Sequence, residues 1–129
     1  MSAELEAHVI LRLSIAAVAA ATLITLACGE LPVACTEQFV PGIVVDVRDS
    51  STGASLSGAA GTAQDGAYTD SLRPLASTKL EGAGERPGAY TVTVSHAGYA
   101  TWVRLNVDVQ AGTCHVHTAT LQALLQATP

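Results

Sequence analysis

Apolar and polar residues alternate most cleanly over Ala89–His96, where Tyr90, Val92 and Val94 point one way and Thr91, Thr93 and Ser95 the other. A period of two is the pitch of a strand with one face buried and one face wet. The same pattern recurs in Ile43–Arg48, where Val45 and Val47 alternate with Asp46 and Arg48, and in Trp102–Val109. Gly61–Leu72 reads as two short strands folded at Asp65-Gly66, a strong hairpin dipeptide. Leu75–Glu81 predicts another strand, and Cys114–Leu125 the last one, whose end, Leu121–Leu125, also suits a helical turn. Turn clusters fall between these runs, at Asp49–Gly53, Glu85–Gly88, Ala97–Tyr99 and Gln110–Gly112. Short strands at such spacing predict an all-β sandwich or barrel.

Ahead of the β pattern lies a different one. Leu13–Ala27 is an uncharged apolar run. At about 1.5 Å per residue its 15 residues span roughly 22 Å as a helix, short of the about 20 residues that a bilayer core requires. Its length suits the apolar core of a secretory signal. The segment before it carries Glu4 and Glu6 and only Arg12 as a basic residue, which suggests that translation starts downstream, near Val9.

The run ends at Cys28, and Ile24-Thr-Leu-Ala-Cys28 resembles the lipobox of bacterial lipoproteins. Ala27 suits the cleaving peptidase, and Cys28 becomes the acylated first residue. Thr25 stands where the best-formed lipoboxes have Leu. No Asp follows the cysteine, which does not favour inner-membrane retention. The chain has three cysteines. An odd count in an exported protein leaves one to explain, and lipid on Cys28 leaves Cys35 and Cys114 to pair with each other. A redox or metal-binding thiol is the alternative for that pair, although the spacing is not Cys-x-x-Cys.

Composition narrows the functional classes. Six basic residues against eleven acidic ones give a net charge of −5, with no basic patch, which argues against nucleic acid as a partner. Aromatic residues make up only 4 % of the chain, so the core is thin and a covalent staple would help it.

Four segments together resemble one family: Val44-Val-Asp-Val-Arg-Asp-Ser-Ser-Thr-Gly53, Asp65-Gly-Ala-Tyr68, Pro87-Gly-Ala-Tyr-Thr-Val-Thr-Val94 and Gly98-Tyr99. They look like the carboxypeptidase regulatory-like domain. The resemblance implies a transthyretin-like (prealbumin-type) seven-stranded antiparallel Greek-key β-sandwich, here following an N-terminal signal helix. It also implies that Tyr90 packs inside, Gly88 starts a strand and Gly98 permits a tight turn. The expected organisation is a lipoprotein signal peptide over 1–27, a lipidated tether over 28–41, the sandwich over 42–125 and a tail over 126–129. In that family the domain is usually a non-catalytic accessory.

Candidate chemistry is sparse. Cys114-His-Val-His117 invites a metal, with His115 and His117 on one strand face and His96 as a third ligand. Two histidines alone make an incomplete site, and an exposed polar face is the simpler account. Asp46, Asp49, Asp65 and Asp70 lack the spacing of a calcium loop. Tyr99 and Trp102 could stack on sugar rings, or else cover the sandwich edge. The transthyretin-like hydroxyisourate hydrolases end in Tyr-Arg-Gly-Ser, whereas this chain ends Leu124-Leu-Gln-Ala-Thr-Pro129, and Gly-x-Ser-x-Gly is absent. The expectation is therefore a lipid-anchored protein of the bacterial cell envelope, periplasmic or surface-facing, with a structural or recognition role, no catalysis and no cofactor. It meets the membrane through acylated Cys28, and its further partner is another envelope protein or a glycan. Carbohydrate binding and weak metal binding through His115 and His117 are the alternatives.

Overall fold

The alternating run around Tyr90 forms an interior strand of the sheet in a computed structural model that describes Gly29 and residues 32–129. The apolar run Leu13–Ala27 and Cys28 lie outside the described residues. From Cys35 to Pro129 the chain is one compact unit. Its strands are β1 (Ile43–Asp49), β2 (Ala60–Asp65), β3 (Tyr68–Ala76), β4 (Lys79–Gly82), β5 (Gly88–Ser95), β6 (Trp102–Ala111), β7 (Val116–His117) and β8 (Ala119–Leu125). The described part of the chain is all-β.

Hydrogen bonds link the eight strands into one sheet in the order β7-β6-β5-β2-β3-β4-β1-β8. The first and last of these, β7 and β8, are separated in the chain only by Thr118, so the sheet nearly closes on itself. β3 makes the bend: its first half pairs with β2 and its second half with β4, with a register shift between Pro74 and Ala76. Proline within a sheet belongs at such an irregularity, because it offers no N–H to the ladder.

The core follows the period-two reading where that reading is simple. Ile43, Val45 and Val47 from β1 and Tyr90, Val92 and Val94 from β5 are fully buried. Ala63, Leu72, Leu80, Ala83, Val107, Val109, Val116, Ala123 and Leu125 complete the interior. Gly88 opens β5, and Gly98 turns the chain at φ 81°, a conformation that strains any residue with a Cβ.

Five features differ from expectation. The strand expected over Leu75–Glu81 is instead the end of β3, a turn at Ser77-Thr78, and β4. This turn lacks the Gly, Pro, Asn or Asp that would announce it. The last strand is two strands, giving eight in place of seven, because the chain breaks step at Thr118, whose hydroxyl donates to the Pro41 carbonyl at 2.7 Å. β8 then runs parallel to β1, from Ile43 opposite Ala119 to Asp49 opposite Leu125, so the sheet is not wholly antiparallel. Leu121–Leu125 is strand to its end, with no helical turn.

The fifth difference is in β6. Sequence alternation puts Val103, Leu105, Val107 and Val109 on one face. In the structure Val107 and Val109 are buried while Val103 and Leu105 are exposed. A bulge separates them: Tyr90 sits opposite Val107 but Val92 sits opposite Arg104, so β6 carries one residue more than β5. Asn106 absorbs it at φ 55°, a left-handed conformation that asparagine tolerates better than most residues.

Candidate functional site

The disulfide borders an open hollow in the described surface. Cys35 and Cys114 are bonded, with Cα atoms 5.2 Å apart, so the residues that follow each of them lie side by side. Thr36 thereby meets His115: Thr36 Oγ1 and His115 Nε2 are 3.1 Å apart. The other ring nitrogen, Nδ1, is 2.8 Å from Glu85 Oε1. These three residues, with Glu37, Gln38, Phe39 and Cys114, line an open hollow of about 380 Å³.

Glu85 comes from the turn between β4 and β5, where Ala83 and Glu85 both take φ 52°. Its position is reinforced twice by Val40. The Val40 N–H donates to Glu85 Oε1 at 2.8 Å, and the Glu85 N–H donates to the Val40 carbonyl at 3.0 Å. Phe39 lies against Gly84, where a Cβ would stand only 2.0 Å from the ring, so only glycine fits under it. Residues 36–42 are thus strapped along the sheet before β1 begins. Residues 126–128 are also ordered by pairing, since Ala100 N–H donates to the Gln126 carbonyl and Thr128 N–H to that of Gly98.

The carboxylate of the relay has a shifted acidity. Partial burial pushes the Glu85 carboxyl upward, but hydrogen bonds from His115 and from the Val40 N–H outweigh it and hold Glu85 below its ordinary value. An ionised carboxylate only accepts hydrogen bonds, so in the neutral form of the imidazole the proton sits on Nδ1. Nε2 is then a lone-pair acceptor, and the Thr36 hydroxyl donates to it. The result is a hydroxyl–imidazole–carboxylate chain that opens on solvent.

The other residues singled out in the sequence are dispersed. His117 is exposed on β7. His96 is at the far end of β5, its ring nitrogens 2.8 Å from the Ala97 carbonyl and 2.9 Å from that of Ser57, its ring edge-on to Tyr99. His96, His115 and His117 therefore have separate surroundings, and no group of three metal-ligating side chains converges among the described residues. Tyr99 donates its hydroxyl to Asp49 Oδ2 at 2.9 Å, and both Tyr99 and Trp102 pack partly against the core instead of standing out as a platform. Asp46 pairs with Arg48, Asp65 with Arg86, and Asp70 accepts from the Ala83 N–H.

Arg86 organises a second polar cluster. Its guanidinium stacks 3.9 Å above the Tyr68 ring and donates to both Asp65 and the Tyr90 hydroxyl at 2.9 Å. The Tyr90 hydroxyl in turn donates to the Arg86 carbonyl at 2.9 Å. This satisfies the one polar atom on a ring that is otherwise fully buried.

Thr36 and Glu85 were not singled out in the sequence. The available signal was their position: Thr36 follows one half-cystine and His115 follows the other. Compared with known protein families and with curated proteins, the chain shows no match.

Proposed function

We propose that this chain is a lipid-anchored protein of the bacterial cell envelope whose β-sheet domain serves as a structural or recognition module. The domain is read as a transthyretin-like Greek-key sandwich akin to the carboxypeptidase regulatory-like domain. The observation that carries the reading is the Cys35–Cys114 disulfide. Such bonds persist in oxidising, exported compartments. It also takes up two of the three cysteines, leaving Cys28, at the end of the apolar run, as the free thiol that acylation requires.

The surface supports recognition. Across β3, β2, β5 and β6, Ser71, Thr62, Thr93 and Val103 stand in register, and beside them Thr69, Gln64 and Thr91. These rows carry no charge, and Val103 and Leu105 are exposed at their edge. A neutral face of hydroxyls and aliphatic groups suits a protein partner in the envelope better than a charged ligand.

Fractionation of cells expressing the full chain tests the anchor. Wild type sediments with membranes and Cys28→Ala is released in soluble form; a Cys28→Ala protein that stays with membranes contradicts the proposal.

A further inference from the structure

We infer that Thr36 is an acyl-accepting nucleophile, activated by His115 and oriented through Glu85, with small uncharged esters as its substrate class. The three side chains form the arrangement that recurs in nucleophilic catalysis: a hydroxyl within hydrogen-bond reach of an imidazole nitrogen, and a carboxylate on the opposite ring nitrogen. Thr36 Oγ1 to His115 Nε2 is 3.1 Å, and His115 Nδ1 to Glu85 Oε1 is 2.8 Å. Such constellations are recognised by geometry and role, not by order along the chain or by fold.

Two further observations point the same way. The relay opens into the hollow beside Glu37, Gln38 and Phe39, so a substrate can reach the hydroxyl. The disulfide and the paired hydrogen bonds between Val40 and Glu85 hold both arms of the relay, which preorganises it.

In the first half-reaction Thr36 Oγ1 attacks the ester carbonyl carbon while its proton passes to His115 Nε2. The new C–O bond forms, the ester C–O bond breaks, and His115 returns the proton to the departing alkoxide. In the second half-reaction water attacks the acyl-threonine, again losing a proton to His115 Nε2. Collapse releases the carboxylic acid and restores the Thr36 hydroxyl. The sum is ester plus water giving acid plus alcohol, with no change of oxidation state. The lining sets the class of ester: the exposed Phe39 ring favours an apolar or aromatic group, while Glu37 and Glu85 repel anions.

The test uses the full chain, purified with its disulfide intact, and p-nitrophenyl acetate as the probe. Mass spectrometry of the quenched wild type is expected to place one acetyl group on the peptide containing Thr36. Thr36→Ser is expected to keep this product. Thr36→Val, which keeps the side-chain volume, is expected to lose both the acetyl group and the burst of nitrophenol. His115→Gln should slow acylation about 100-fold, the scale of a positioned general base. Wild type without acetyl-Thr36, or a Thr36→Val protein that retains the burst, overturns the inference. A Thr36→Val protein that fails to fold leaves the decision to the wild-type acetylation site and to Thr36→Ser.

Discussion

Thr36 and His115 stand 79 residues apart in the chain and share a 3.1 Å hydrogen bond. The disulfide one residue before each of them brings them together. A single covalent link thus closes a long loop, straps the lead-in to the sheet and assembles the one relay of hydroxyl, imidazole and carboxylate found among the described residues.

Breaking that link should weaken the fold without abolishing it. Closing a loop of roughly 80 residues is worth about 4–5 kcal/mol in the chain-entropy treatment, an upper figure. The Val40–Glu85 hydrogen bonds and the Thr118–Pro41 hydrogen bond remain when the bond is gone. Urea denaturation of the Cys35→Ala/Cys114→Ala protein is expected to show a loss of about 2–4 kcal/mol. A loss below about 1 kcal/mol would show that the strap is held by its hydrogen bonds alone.

Acid should loosen the same region. Glu85 is held below its ordinary value of 4.5 because hydrogen bonds from His115 and Val40 outweigh its partial burial. Asp49 is lowered as well, foremost by the Thr52 N–H and then by the Tyr99 hydroxyl and the Ser51 N–H. A carboxylate whose folded pKa is depressed stabilises fully above its unfolded value, and that contribution disappears as pH falls through the folded one. The melting temperature should therefore fall on acidification below the ordinary carboxylate range. Glu85→Gln should flatten part of that decline, and an identical acid limb in wild type and variant would exclude Glu85 as a contributor.

Tyr90 should be the least replaceable side chain. Its ring is fully buried and its hydroxyl is bonded to both the carbonyl and the guanidinium of Arg86. Tyr90→Phe leaves the ring and removes the bonds, with an expected loss of about 1–2 kcal/mol. Tyr90→Ala also opens a cavity and should lower stability by about 3–5 kcal/mol. Calorimetry of the two variants separates the contributions, and equal losses would mean that the hydroxyl, not the ring, dominates.

Asn106 offers a test at an exposed position. Its φ of 55° makes a β-branched substitution strained wherever its side chain points. Asn106→Val is expected to lower stability by about 1–3 kcal/mol and Asn106→Gly to be near neutral. A neutral Asn106→Val would mean that the bulge can move along β6.

These two positions also show where the fold was legible in the sequence. β5 was legible because each inward residue, Tyr90, Val92 and Val94, follows a strict alternation between clear turns. β6 was misleading because one bulged residue reverses the phase after Leu105, and a polar residue in a polar–apolar run gives no sign that its φ is positive. The β3–β4 hairpin leaves no mark in the sequence because Ser77-Thr78 turns without a glycine or proline. The pairing of Cys35 with Cys114 followed from counting. The relay did not, because Glu85 reaches His115 through a fold in which β4, β5 and the lead-in converge, and no local spacing encodes that.

The central claim, that this chain lives on a membrane through Cys28, is most directly tested at its N-terminus. Intact-mass and peptide analysis of the protein extracted from membranes should find residues 1–27 removed and two or three acyl chains on Cys28, while Cys35 and Cys114 remain joined. A mature N-terminal peptide that retains residues before Cys28, or carries Cys28 without lipid, would contradict it.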